Sequence, residues 1–187
     1  MHFTVEAQRI VAEHLSPGDW VIDATAGNGH DTIFLATAVG GDGRVLAVDI
    51  QEAAIKRLEQ KLAEQNLIDR VELFIGSHSL IEQFVAPKYV GAISCVMFNL
   101  GYLPFGDKTI TTTCENTIVA VRGAAAVLKP GGMLTVLAYV GHPGGRDEAA
   151  AVAVWMESNS DRFECTSFRD FDNPNSPVLW VAKKRSS

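Results

Sequence analysis

The stretch that decides the fold is Trp20-Val21-Ile22-Asp23-Ala24-Thr25-Ala26-Gly27-Asn28-Gly29-His30-Asp31-Thr32. It opens after a Ser16-Pro17-Gly18-Asp19 turn with a short apolar run ending on an acid, Trp20 to Ala24, as a buried strand does. It then breaks at a Gly-x-Gly loop and resumes as a helix over Asp31 to Val39, with Ile33, Phe34, Ala36 and Val39 available for packing. Glycines at a strand-to-helix turn let backbone N–H groups come close to a ligand, because no Cβ intervenes. The phosphate fingerprint G-x-G-x-x-G is incomplete, since Thr32 stands where the third glycine belongs, and no G-K-[ST] ending marks a triphosphate loop. Asp23 just ahead of the turn would repel a pyrophosphate. It suits a cationic group, such as the amino-acid end of S-adenosylmethionine.

Working outward, the same alternation of short apolar and longer amphipathic segments continues. Strands are expected at Arg44 to Ile50, Val71 to Ile75, Val90 to Phe98 and Met133 to Tyr139. Helices are expected at Glu52 to Gln65, with Ala54, Ile55, Leu58 and Leu62 three and four apart, at Leu80 to Phe84, at Ile110 to Leu128 and at Asp147 to Glu157. Lys129-Pro130-Gly131-Gly132 is read as a helix stop and a turn. Two late strands, Phe163 to Asp170 and Pro177 to Lys183, flank Asn173-Pro174-Asn175-Ser176, a connection suited to an antiparallel hairpin. This pattern predicts an α/β, Rossmann-like fold: a mostly parallel seven-stranded sheet with one antiparallel edge strand and helices on both faces, as one domain over 1–187.

Composition narrows the function classes. Of the 187 residues 47% are hydrophobic, enough for a packed core. No apolar run approaches the ~20 residues of a bilayer span, and Met1 to Ser16 lacks the unbroken apolar stretch of a secretory signal. A cytoplasmic location is expected. Cys95, Cys114 and Cys165 stand far apart without metal-ligand spacing, so no metal site is predicted. Net charge is −6, with 16 basic and 22 acidic residues, which counts mildly against a broad nucleic-acid surface. The basic run Lys183-Lys184-Arg185 reads as a solvated tail.

Three further loops carry chemistry. Asp49 ends the second strand and is followed by Ile50-Gln51; a carboxylate there accepts both ribose hydroxyls of a nucleoside, and Gln51 can bond the sugar or lie along the adenine. Gly76-Ser77-His78-Ser79 follows the third strand, where polar groups can meet an adenine. Asn99-Leu100-Gly101-Tyr102-Leu103-Pro104 follows the most apolar strand. It resembles the (Asn/Asp)-Pro-Pro-(Tyr/Phe) loop of amino-group methyltransferases, with Leu100-Gly101 in place of the two prolines. In such loops the Asn side chain and the next carbonyl accept hydrogen bonds from a target amine, so catalysis rests on positioning and electrostatics.

Taken together, Asp23 to Thr32, Asp49-Ile50-Gln51, Asn99 to Lys108 and the Gly-His-x-Gly-Gly loop at Gly141 to Gly145 resemble one family across essentially the whole chain. It is the YtqB/MnmM-type group of bacterial tRNA wobble-uridine methyltransferases, long labelled rRNA methylases. Phe105 departs from the glycine expected there. The resemblance implies transfer of a methyl from S-adenosylmethionine to the aminomethyl nitrogen of 5-aminomethyl-2-thiouridine in the anticodon stem-loop of tRNA. It implies donor contacts from Asn28, His30, Asp49, Gln51, Ser77 and His78, which join Asp23, Gly27 and Gly29 of the loop read above, catalytic roles for Asn99 and Tyr102, and substrate contacts from Asp107, Lys108 and His142. Asp31, Asp107 and His142 are open as proton acceptors by motif position, and Lys108, Arg122 and Arg146 as phosphate contacts. A homodimer would help a small acidic protein hold a tRNA. The alternatives are a methyltransferase acting on rRNA or a small-molecule amine, and a non-catalytic nucleoside-binding regulatory module. The missing glycine and the Asp23 charge disfavour an NAD-dependent oxidoreductase.

Overall fold

The computed structural model describes residues 2–101 and 111–186. Strands β1 (Trp20–Asp23), β2 (Arg44–Asp49), β3 (Val71–Ile75), β4 (Ile93–Leu100), β5 (Leu128–Ala138), β6 (Phe163–Phe168) and β7 (Val178–Lys184) form a sheet in the order β3-β2-β1-β4-β5-β7-β6. The first five neighbours pair in parallel; β7 runs antiparallel to both β5 and β6, which supplies the expected reversal at this edge of the sheet. The helices are α1 (Phe3–His14), α2 (His30–Ala38), α3 (Glu52–Glu64), α4 (Ile81–Phe84), α5 (Cys114–Val127) and α6 (Gly145–Ser158).

The period of two along each strand sorts side chains into two cores. In β1 and β4, Val21, Cys95 and Met97 face one side and pack with Val11 of α1, Leu35 of α2 and Leu58 of α3. Ile22, Val96, Phe98 and Leu100 face the other and meet Ile81 of α4, Val121 and Ala124 of α5, and Val152 of α6. Both faces of the central strands are therefore covered, which is why β4 reads as an almost unbroken apolar run. Cys95 is fully buried between these layers, and burial pushes its thiol well above the usual range. Among the described residues no helix is long and apolar enough to cross a membrane.

Gly123 on α5 marks a close approach. A Cβ there would lie 2.7 Å from Ile81 Cγ2 and 3.2 Å from Glu82 Cγ. Alanine gains up to ~1 kcal/mol of helix propensity, but overpacking a filled core costs about 1–3 kcal/mol. Since Ile81 is fully buried and has nowhere to retreat, overpacking wins. Gly123→Ala is expected to lower the midpoint of thermal unfolding by several degrees, about 2–4 °C for each kcal/mol lost in a chain of this size.

Several elements differ from the sequence expectation: α1 is not among the expected helices, and β4 runs over Ile93–Leu100, so Asn99 and Leu100 end the strand, paired with Leu137 and Ala138, and do not lie in a loop after it. The residues 129–132 lie inside β5, not in a turn: Leu128 pairs with Ile93, the register shifts before Cys95, and Gly131 absorbs the irregularity at a φ of 76°. Strand pairing overrides local turn chemistry there. The helix expected from Ile110 begins at Cys114, because Thr113 caps it by accepting the Asn116 N–H, and a threonine in that role stops the helix from extending backward.

Candidate active site

The sheet order reverses direction at β1, between β2 and β4, and the crevice outside their carboxyl ends is where open α/β sheets bind ligands. A cleft of about 520 Å³ opens there. Its walls carry Gly27, Asn28, His30, Asp31, Asp49, Gln51, Ser77, His78, Asn99 and His142, so ten of the residues singled out from sequence converge on one cavity. Tyr102, Asp107 and Lys108 lie outside the described residues.

The glycine loop is held from several sides. Gly29 precedes α2 at a φ of 83°, a backbone conformation that a side chain disfavours, and its Cβ position would fall 2.5 Å from Leu58 Cδ1. Gly29 thus shapes the turn from behind the cleft wall. Lys61 Nζ donates to the Asn28 carbonyl at 2.8 Å. The Asp49 carboxylate accepts the Gly27 N–H at 2.7 Å on one oxygen and the Gln51 N–H at 2.8 Å on the other. Each oxygen keeps a further lone pair, and two adjacent acceptors at a strand end match a vicinal ribose diol.

Asp23 departs from its expected place. Its side chain is 1% exposed and turns away from the cavity, accepting the Thr25 N–H at 3.1 Å and the Thr32 hydroxyl at 2.5 Å. It therefore shapes the loop and is not among the residues that line the cleft. Burial, and then the negative charge of Asp31, raise its pKa above the ordinary carboxylate range. A folded-state pKa above the unfolded value means that the folded protein binds this proton more tightly. Stability from this group is then present at acid pH and lost as pH rises from the ordinary carboxylate range toward neutrality. Asp23→Asn is expected to melt higher than the native protein at pH 8 and close to it at pH 4–5, measured by calorimetry without ligand.

Asp31 and Asn99 form the feature that sequence alone did not reveal. Asp31 heads α2, is 6% exposed, and accepts Gln8 Nε2 at 2.6 Å on one oxygen and Asn99 Nδ2 on the other. An ionised carboxylate only accepts, so the Asn99 amide must turn its nitrogen to Asp31 and keep Oδ1 as an acceptor on the cleft wall. The Asn99 backbone is fixed as well, its N–H donating to Thr25 Oγ1 at 2.7 Å. Burial raises the Asp31 pKa, opposed by the two amide donors.

The remaining wall comes from residues the sequence reading did not select. Thr4 of α1 and Tyr139 beyond β5 both line the cavity, their hydroxyls 3.5 Å apart. The spacing of Phe3, Ala7 and Val11 was the available signal for α1, but the polar residues between them masked it. Thr112 lines the cavity too, held by Glu148 of α6, which accepts the Thr112 hydroxyl at 2.8 Å and the Thr117 hydroxyl at 2.5 Å. Asn175 reaches the wall from the β6–β7 connection. The basic tail lies elsewhere: Lys184 Nζ donates to the Ala125 and Leu128 carbonyls at the opposite end of the sheet.

His78 offers the direct test of ligand chemistry. Its ring stands edge-on to Phe98, and burial pushes its pKa down to about 4, so the imidazole is neutral at physiological pH. Its Nε2 is buried on the cleft wall with no hydrogen-bond partner among the described residues. A buried polar atom of that kind is stabilised by a ligand's polar group. With the Asp49 acceptor pair, and with carboxylates at Asp31 and Asp49 to balance a sulfonium, the walls fit S-adenosylmethionine.

This fold with this donor cleft defines an S-adenosylmethionine-dependent methyltransferase. The chain belongs to the family described as "Putative rRNA methylase", whose model matches residues 45–184. It is 37% identical, over 97% of its length and 69% of the relative, to a chloroplastic tRNA (mnm(5)s(2)U34)-methyltransferase of Arabidopsis thaliana. Among solved structures it resembles one from Clostridium thermocellum described as a "putative rRNA-methylase", with 37% identity, a TM-score of 0.91, and 97% and 96% of the two chains covered. It also resembles a Streptococcus mutans protein described as "a putative methyltransferase", in complex with SAH, with 29% identity, a TM-score of 0.85 and 97% of each chain covered.

Proposed function

We propose that the protein methylates the aminomethyl nitrogen of 5-aminomethyl-2-thiouridine at the tRNA wobble position, giving the 5-methylaminomethyl form. The observation that carries this reading is the Asn99 amide, locked by Asp31 with its oxygen left as an acceptor beside the donor cleft. An acceptor at that point orients an N–H bond of a target amine; it offers little to a carbon nucleophile, which has no proton to donate. The name of the Arabidopsis relative supports the same substrate. Asp49, Gln51, His78 and the Gly27 loop would hold the donor, and Asn99, with Tyr102, would face the modified base. Asp107, Lys108 and His142 would meet the RNA, as the family resemblance implies, and the cytoplasm, where tRNA matures, is the fitting location.

S-adenosylmethionine supplies an electrophilic methyl on its sulfonium. An alkyl amine enters near neutral pH largely as ammonium, so a proton must leave before nitrogen has a lone pair to share. Asp31 is the acceptor this geometry favours: it is on the cleft wall, bonded to the amide that holds the amine, and its pKa is raised toward the working pH by burial. With the donor bound, methyl transfer would form one N–C bond as the S–C bond breaks with its electron pair passing to sulfur, and Asp31 would take the proton that the ammonium gives up beforehand. Gln8 holds the second oxygen and fixes the carboxylate plane.

The test is a pair of synthetic anticodon stem-loops, one with 5-aminomethyl-2-thiouridine and one with plain uridine. Methyl transfer to the first alone is expected. Equal transfer to both, or methylation of a ring carbon, contradicts an amine target.

A further inference from the structure

The connection between β6 and β7, residues 169–177, reaches the cleft wall through Asn175. Phe168, the last residue of β6, pairs with Leu179, and Val178, the first of β7, pairs with Ala138 at the carboxyl end of β5. Antiparallel pairing therefore brings the hairpin tip to the same end of the sheet as Asn99. Its Asn175 lines the cleft and accepts Arg146 Nη2 of α6 at 3.1 Å.

At this tip Phe171 is 83% exposed, the most exposed of the large hydrophobic residues described. Folding makes no use of the ring. Among the described residues its ring partner is cationic: the Arg169 guanidinium carbon sits 5.0 Å from the ring centroid. The loop is nevertheless built to hold its shape. Asp170 Oδ1 accepts the Asp172 N–H at 3.1 Å, Asn173 Oδ1 accepts the Asn175 N–H at 3.0 Å, and Ser176 Oγ accepts the Asp170 N–H at 3.1 Å. A ring held out into water on an ordered loop loses little conformational freedom when something stacks on it.

We propose that this hairpin tip is an RNA-docking lip, on which an unpaired base next to the modified nucleotide stacks against Phe171 while Arg169 and Arg146 meet the backbone phosphates. The inference rests on the tRNA reading above. Single-stranded loops are recognised by splaying bases onto aromatic rings and guanidinium planes, with cations tracking the phosphates. An aromatic ring, an arginine beside it and a second arginine between the ring's loop and the cleft supply those groups. They supply them locally, which is how a chain of net charge −6 can engage a polyanion without a broad basic face. Asp170 and Asp172 share this tip and are exposed, Asp170 Oδ1 accepting the Asp172 N–H, and their charges set a cost that the stacking and the arginine contacts must exceed.

The experiment is steady-state methylation of an anticodon stem-loop by the native protein, Phe171→Ala, Phe171→Trp and Arg169→Ala, with donor binding and sedimentation measured on each. Phe171→Ala is expected to raise KM for the RNA about tenfold, within the range that base stacking supplies, with an unchanged melting temperature and donor affinity. Phe171→Trp is expected to restore KM. An unchanged KM in Phe171→Ala, where the native protein methylates the RNA, overturns the docking lip and leaves the function standing. So does a change in sedimentation with KM unaltered, which makes the ring a contact between copies of the chain. Failure of the native protein to methylate any stem-loop overturns the function itself, and the lip with it.

Discussion

Asn99→Ala is expected to lower kcat by about 10²–10³-fold, the loss seen when one preorganised polar contact to a reacting centre is removed, while the donor's Kd changes less than threefold. The amide has two jobs that alanine abolishes together: its nitrogen satisfies an Asp31 oxygen, and its own oxygen is the acceptor on the cleft wall. Neither touches Asp49, whose bonds to Gly27 and Gln51 organise the donor side. A split between kcat and donor affinity is therefore the diagnostic result, read from single-turnover rates and calorimetric titration. If donor affinity collapses in parallel with kcat, Asn99 is a structural member of the donor pocket and its placement at the amine is wrong.

Asp31→Asn is expected to lower kcat by about 10²–10⁴-fold, the usual contribution of a positioned general base, and to change the pH profile. In the native protein Asp31 works as the carboxylate. Burial raises its pKa, so the ionised fraction falls as pH drops through a range above that of an ordinary aspartate. The rate should accordingly decline on the acid side, with a limb that asparagine removes. His78, its pKa pushed down by burial to about 4, is untouched by the substitution, so a limb that asparagine removes belongs to Asp31. A variant that keeps the acid limb at a reduced rate would assign Asp31 to positioning alone, through its hold on Asn99 and Gln8.

The parts of this account that sequence exposed are local ones. Strand β3 is bounded by its own apolar run, and α3 by the spacing of Ala54, Ile55, Leu58 and Leu62, all four buried as a single stripe. The Gly27 loop and Asp49 likewise announce themselves, since backbone approach and a strand-end acid are needed next to one another in the chain. What stayed hidden depends on contacts between distant segments. Asp31 and Asn99 are 68 positions apart, and only the parallel pairing of β1 with β4 sets them side by side. Gln8 and Asn175 arrive from the two ends of the chain. Asp23 illustrates the converse: its position at a strand end suggested a ligand contact, but whether a side chain faces a cavity or its own loop is decided by the hydroxyl of Thr32, nine residues on.

The most direct test of the central claim is nucleoside mass spectrometry of tRNA from cells lacking this gene, after incubation with the purified protein and S-adenosylmethionine carrying a deuterated methyl. The account predicts that 5-aminomethyl-2-thiouridine is consumed and that its methylaminomethyl product appears three deuterons heavier. Appearance of the heavy methyl in ribosomal RNA or a small amine, with the wobble uridine untouched, would contradict it.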